Sequence, residues 1–217
     1  MDKAIHLLRN HEELKDADII CLQEMTLKGI HQCAEQLKYN YVYYPAVFHP
    51  LIKQDFGNAI LSRWPILNDR KIILPYLDPK KLQRIAVCAD IQIGRKRIRI
   101  YCVHMKVFLK PLMRGQQMTV VLNSVPDNCQ HCVVAGDFNT FTKANKTALL
   151  ISLQEAGFSP ATDHLGWSHK HWTLLNKKNQ LDHIFIKGIN ILKAGKVINR
   201  KSSDHLPIWA ELAFPKK

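Results

Sequence analysis

The 217-residue sequence has few acidic residues and no long apolar run. Asp and Glu number 18 against 31 Lys and Arg, so the formal net charge is +13. No apolar stretch approaches the roughly 20 residues of a transmembrane helix, and the first residues lack the basic and then apolar pattern of a signal peptide. We therefore expect a soluble, cytoplasmic chain, with secretion as the alternative if an upstream segment is missing.

The six cysteines lack the paired spacing of a structural metal site. Residues 129 and 132 form a C-x-x-C pair, but no second pair accompanies it, so we expect neither a zinc site nor a redox role there. Internal repeats, low-complexity segments and linkers are also missing. With 47% hydrophobic residues, the chain is predicted to form one domain over residues 1–217.

Positive charge is concentrated in one region of the sequence. Between Arg63 and Arg114 there are 13 basic and 3 acidic residues, a net charge of +10. Within this region, Arg97 and Arg99 alternate with Ile98 and Ile100, which predicts a strand with one basic and one core face. Such clustering favours a polyanionic partner, either nucleic acid or an anionic membrane surface.

The most informative stretch is an apolar run, residues 133–135, that ends in Gly136-Asp137-Phe138-Asn139. Residues i and i+2 of an extended backbone point the same way, so Asp137 and Asn139 are expected to project together while Phe138 packs behind them. An ordinary Asx turn after a core strand is the alternative interpretation.

Four other polar motifs lie at or near the ends of strand-like runs: Gln23-Glu24, Val103-His104, Leu181-Asp182-His183 and Ser203-Asp204-His205. Together they suit hydrolysis of a phosphodiester, which needs a hard cation, a group that activates water and stabilisation of developing charge. Glu24 suits Mg²⁺. Asp182 is the predicted hydrogen-bonding partner that orients His205.

In order and spacing these motifs, together with residues 57–63 and Arg114-x-x-Gln117, resemble the endonuclease/exonuclease/phosphatase family from about Ala17 to Leu212. The resemblance implies an α/β fold, a four-layer sandwich of two packed mixed sheets flanked by helices. It implies Mg²⁺, with Mn²⁺ possible, bound by Glu24 and Asp204. It further implies catalytic roles for the residues His205, Asp182, Asp137, Asn139 and His104.

His104 matches the position where the deoxyribonuclease I and sphingomyelinase branches of the family carry a histidine. That histidine is a candidate acid for the leaving oxygen. As candidate substrate-binding residues we take Asn58, Arg63, Arg114 and Trp172. Whether Asp137 or His205 is the general base stays open.

One departure from the family pattern concerns the first strand. The family normally begins with a strand that ends in a metal-binding asparagine, whereas this sequence starts at the following helix. The expected fold therefore lacks that strand and that ligand.

The leading functional prediction is a monomeric, Mg²⁺-dependent phosphodiesterase acting on nucleic acid as an endonuclease or exonuclease. One alternative is a sphingomyelinase-like phospholipid hydrolase or an inositol-phosphate hydrolase. The other is a catalytically weak, basic nucleic-acid-binding module, because the strand bearing the asparagine is absent.

Overall fold

The computed structural model describes residues 1–49, 53–77, 82–170 and 177–216. Within these ranges the chain forms four α-helices: α1 (Asp2–Asn10), α2 (Leu27–Leu37), α3 (Pro111–Leu122) and α4 (Lys143–Glu155). The hydroxyls of Thr26 and Thr142 cap α2 and α4 by accepting hydrogen bonds from the backbone N–H three residues on. No helix within the described ranges is long and apolar enough to cross a membrane.

The larger sheet has six strands in the order β4-β5-β6-β7-β11-β8. It is mixed, because β6 and β7 run parallel while the other neighbouring pairs are antiparallel. Its strands are β4 (Ile66–Ile73), β5 (Ile85–Ile93), β6 (Lys96–His104), β7 (Cys132–Asp137), β8 (Ser159–Pro160) and β11 (Asp182–Lys187).

The opposite side of the core is formed by two separate groups of strands. One is a three-stranded antiparallel sheet in the order β1-β3-β2, and the other is the hairpin β12-β13. Their bounds are β1 (Ile19–Met25), β2 (Asn40–His49), β3 (Gln54–Ser62), β12 (Asn190–Lys196) and β13 (Ile208–Ala213). A small pair, β9 (His169–Lys170) and β10 (Lys178–Asn179), lies near the polar motifs.

The buried side chains confirm a four-layer arrangement. One apolar cluster joins α3 and α4 to the outer face of the six-stranded sheet around Tyr101, Phe138 and Phe185. A second cluster fills the space between the sheets and includes Ile60 and Ile100. A third joins α1 and α2 to the outer face of the three-stranded sheet. The fold is thus the predicted α/β sandwich.

The prediction that β6 has a basic, solvent-facing side was wrong for most of the strand. Tyr101 is fully buried under α3 and α4, and its hydroxyl donates to the Ser124 carbonyl at 3.0 Å. Arg99 is held by Asp90 through two hydrogen bonds of 2.7 and 2.9 Å. Only Arg97 is exposed, because a helical layer covers the face that alternation alone had assigned to solvent.

Candidate active site

Strand register brings three polar side chains into one row at the edge of the six-stranded sheet. In the parallel pair β6-β7, His104 lies beside Asp137, and in the antiparallel pair β7-β11, Asp137 lies beside Asp182. The Nε2 atom of His104 is 3.5 Å from Oδ2 of Asp137. Residues almost eighty positions apart in the sequence therefore meet, because β6 and β7 end and the antiparallel β11 begins at the same level of the sheet.

The turn after β7 positions Asn139 against Asp137. The backbone N–H of Asn139 donates to Oδ1 of Asp137 at 2.8 Å, and its side-chain amide donates to Oδ2 at 3.0 Å. The first bond is an Asx turn, so the turn interpretation and the shared direction of the two side chains both hold. Gly136 is required here, since a Cβ at its φ of +139° would lie 2.1 Å from the Val103 carbonyl oxygen. Phe138 is fully buried behind the turn, as predicted.

The predicted contact between Asp182 and His205 is confirmed. Nδ1 of His205 lies 2.7 Å from Oδ2 of Asp182. Ser168, which the sequence analysis missed, donates its hydroxyl to the same oxygen at 2.7 Å and accepts the backbone N–H groups of Leu181 and Asp182. The Ser168 hydroxyl thus fixes the carboxylate that in turn orients the imidazole.

Glu24 and Asp204 reach the site from the other side of the core. We expected Glu24 to follow the first strand, but it lies within β1. It stands at a register irregularity of that strand, with φ of 56°. Its side chain is 58% exposed, and Oε1 lies 3.8 Å from Arg84 and 4.0 Å from Nε2 of His104. Asp204 is 44% exposed and lies 3.6 Å from Nε2 of His169.

A single open cleft of about 1630 Å³ contains all seven residues predicted for metal binding and catalysis. This volume exceeds the roughly 300–1,000 Å³ typical of small-molecule pockets, because the cleft also extends along the interior between β1 and β13. The lining residues with predicted chemistry are Glu24, His104, Asp137, Asn139, Asp182, Asp204 and His205.

The pKa values of the two candidate bases, Asp137 and His205, are both raised, but to different values, so the two groups differ in charge at neutral pH. Burial and the neighbouring Asp182 raise the pKa of Asp137 to about 7. Burial alone would lower the pKa of His205, but the hydrogen bond and charge of Asp182 outweigh it and raise the pKa to about 9. His205 is therefore a cation at neutral pH, which disfavours it as the general base.

His104 differs from the acid that the resemblance implied. Burial, followed by the charge of Arg84, lowers its pKa well below the ordinary value. Nη1 of Arg84 lies 3.2 Å from Nδ1 of His104. A neutral imidazole suits hydrogen bonding to a substrate oxygen better than proton donation. Arg84 was missed; it directly precedes β5, whose start pairs with the end of β6.

Three of the four predicted substrate-binding residues, those within the described ranges, do not line the cleft. Asn58 is 1% exposed and donates to the backbone carbonyls of Ile85 and Cys102. Arg114 is fully buried and donates to the Phe138 carbonyl, so it supports the turn beneath Asp137. Arg63 binds Tyr39 and the Lys15 carbonyl, at the opposite end of β1 from Glu24.

These three predictions were wrong because a residue's place in a family motif does not show that its side chain is exposed. The side chains instead hydrogen-bond to backbone carbonyls. The fourth candidate, Trp172, lies outside the described residues.

The donor set of the cleft fits a hard divalent cation. Glu24, Asp137 and Asp204 all line it, and carboxylate oxygens are the ligands that Mg²⁺ prefers. Burial, followed by the charge of Asp182, raises the pKa of Asp137, and a bound cation would offset both effects by favouring the ionised carboxylate. Among the described residues, two groups lie close enough to share one ion, Asp137-Asp182-His205 and His169-Asp204-His205, and Glu24 belongs to neither.

Comparison with known proteins agrees with this geometry. The sequence model of the Endonuclease/Exonuclease/phosphatase family matches residues 1–205, and the chain belongs to that family. A UPF0294 protein of Vibrio cholerae is 33% identical over 98 residues, which is 43% of this chain and 31% of the relative. The chain thus aligns with less than a third of that relative's length.

Two solved structures share the fold. An endonuclease/exonuclease/phosphatase from Beutenbergia cavernae superimposes with a TM-score of 0.78 and 17% identity, covering 98% of this chain and 65% of the other. D. rerio TDP2 superimposes with a TM-score of 0.74 and 15% identity, covering 97% and 92%.

Proposed function

We propose that this chain hydrolyses phosphodiester bonds with the help of Mg²⁺. The observation that carries the proposal is the Asp182–His205 hydrogen bond of 2.7 Å beside Asp137 and Asn139 in one open cleft. An oriented imidazole next to a carboxylate of elevated pKa supplies the acid–base and charge-stabilising groups that phosphodiester hydrolysis needs. Membership of the family supports the same class of reaction.

The charge states favour a division of roles between the two groups. Asp137, with a pKa of about 7, aligns and deprotonates the attacking water, while Asn139, whose amide donates to the Met105 carbonyl at 2.8 Å and to Asp137 at 3.0 Å, fixes that carboxylate. His205, as a cation, stabilises the charge that develops on the phosphoryl oxygens. Mg²⁺ held by Glu24 and Asp204 would act as a Lewis acid on the same phosphate.

Nucleic acid is the proposed substrate, although the basic region of the sequence supports it less than expected. Arg63, Arg99 and Arg114 are engaged with partners inside the protein. The cleft nevertheless carries Arg84 and the exposed Lys201, which suit a phosphate backbone. The D. rerio TDP2 structure of the same fold is a complex with a single-strand DNA product.

The test is hydrolysis by the purified chain of plasmid DNA, RNA, sphingomyelin and phosphoinositides, each with Mg²⁺ or with EDTA. We expect Mg²⁺-dependent cleavage of DNA or RNA, abolished by EDTA and by Glu24→Gln. The matched control is Glu35→Gln, which removes another exposed carboxylate, on α2, and should leave the rate unchanged. Hydrolysis of the lipids alone would replace the substrate assignment, and hydrolysis of nothing at saturating Mg²⁺ would leave a binding module.

A further inference from the structure

A cluster of two imidazoles and one carboxylate lies at the rim of the cleft. The proposed hydrolysis gives no role to one of its members, His169. One nitrogen of His169, one oxygen of Asp204 and one nitrogen of His205 all lie within 4.8 Å of one another. We propose that these three residues form a second cation site, selective for Zn²⁺ and related transition metals, whose occupation blocks hydrolysis.

The backbone holds the two histidines side by side. His169 and His205 form an antiparallel β-bridge, so their side chains leave the same face of the pair. The bridge is closed by the backbone N–H of Leu206 donating to the Ser168 carbonyl at 2.6 Å. The ring centroids are 4.7 Å apart. The site is therefore largely formed before an ion arrives, which lowers the cost of binding.

The distances suit tetrahedral coordination. Zinc bonds of about 2.0–2.1 Å place neighbouring ligand atoms about 3.3 Å apart in a tetrahedron. Nε2 of His169 and Oδ2 of Asp204 are already 3.6 Å apart. Two histidines and a carboxylate with the fourth position open is an established zinc ligand set, whereas Mg²⁺ prefers oxygen ligands. The nitrogen atoms thus separate this site from the carboxylate-rich position of the proposed Mg²⁺.

The consequence follows from the contact between Asp182 and His205. Asp182 occupies Nδ1 of His205, so a transition metal takes the remaining nitrogen, Nε2, and releases to solvent the proton that Nε2 carries in the cation. In the proposed hydrolysis Nε2 of His205 faces a substrate phosphate. The expected inhibition therefore rests on the proposed function. Zn²⁺ also engages Asp204, a proposed Mg²⁺ ligand. Zn²⁺ is therefore expected to inhibit rather than to replace Mg²⁺.

Binding is tested first and without any reference to activity. Co²⁺, a coloured substitute for Zn²⁺, is titrated into the reduced protein and the visible absorption of tetrahedral Co²⁺ is recorded, followed by displacement with Zn²⁺. We expect one site in the wild type and a loss of affinity of about tenfold or more in His169→Gln, which removes one ligand. His31→Gln, an exposed histidine on α2, is the matched control and should bind as the wild type does.

Inhibition is tested next, with each variant compared with its own rate in Mg²⁺ alone. The Zn²⁺ concentration that halves the rate should rise about tenfold in His169→Gln and stay unchanged in His31→Gln. Equal Co²⁺ binding by the wild type and His169→Gln overturns the site, as does a sulfur-to-cobalt charge-transfer band, which would place the ion on the cysteines. If Co²⁺ binds as expected but no substrate is hydrolysed, the proposed function fails while the metal site stands.

Discussion

The six-stranded sheet and the strands that face it differ in continuity, although both are built from apolar runs. Val87 in β5 and Cys102 in β6 of the six-stranded sheet are completely buried, because both of these strands have a neighbour on each side. On the opposite side, Ile19 of β1 and Leu212 of β13 stay partly exposed. Among the described residues, β1 pairs only with β3, and β13 only with β12, so each presents an open edge to the cleft. Burial is thus decided by neighbouring strands as much as by hydrophobicity.

The same contrast divides the candidate site. His104, Asp137 and Asp182 stand on adjacent strands of the continuous sheet. The two proposed Mg²⁺ ligands lie next to the open edges: Glu24 belongs to β1, and Asp204 belongs to the segment before β13. We infer that the acid–base residues are rigidly placed, while metal affinity is the property most sensitive to the open edges.

The largest expected effect concerns the acid–base residues on the six-stranded sheet. Asp182→Asn keeps the shape of the side chain but removes the charge that orients His205, so the hydrolysis rate should fall by about 10³-fold or more. The Mg²⁺ concentration needed for half-maximal rate should not change, since Asp182 is not a proposed ligand. Steady-state rates across a Mg²⁺ titration provide the measurement. Asp127→Asn, at an exposed position, is the control, and a shifted Mg²⁺ requirement in Asp182→Asn would contradict the division.

A second prediction concerns the open edges. An alternating apolar segment of about the length of β1, ending in Asn and fused ahead of Met1, should pair with β1 and β13, because unpaired edge groups and exposed apolar surface are both costly. We expect Tm to rise by on the order of 5 °C and less Mg²⁺ to be needed. The control segment carries a central proline, which cannot complete the ladder. An equal Tm for both fusion proteins would show that no added strand pairs with the open edges of β1 and β13.

A third prediction compares one isoleucine from each half. Ile100 is 2% exposed in β6, and Ile19 is partly exposed in β1, and both contact the cluster between the sheets. Ile100→Ala should lower the free energy of unfolding by about 2–5 kcal/mol and Ile19→Ala by clearly less, because only the first leaves a closed cavity. Urea unfolding measures both. A similar cost at the two positions would mean that the open half is packed as tightly as the continuous one.

The smallest expected effect is a dependence of stability on pH. Burial, followed by Lys146, lowers the pKa of His183 to about 4, below the ordinary value of about 6.5. The unfolded chain then binds more protons between these values, so stability is complete above pH 6.5 and is lost as pH falls toward 4. His183→Gln should flatten this slope in urea unfolding. His164→Gln, at an exposed position, should retain it.

Sequence reasoning predicted the residues of the site better than the surfaces around it. Asp182 and His205 were paired correctly, because an oriented imidazole needs a carboxylate and few candidates follow strand-like runs. Arg99 and Arg114 were misplaced because a pattern of charge does not reveal which side chains are covered by another layer. Arg84 was not singled out from the sequence, because its importance depends on contacts with Glu24 and His104.

By itself the sequence determined the class of fold, the family and the polar residues at the strand ends, since periodicity and motif spacing are local properties of the chain. The tertiary structure alone decided the common level at which β6 and β7 end and β11 begins, the pKa values of Asp137 and His205, and the approach of His169 to Asp204. These features depend on strand register, burial and charges that are distant in sequence, and such interactions exist only once the layers have packed.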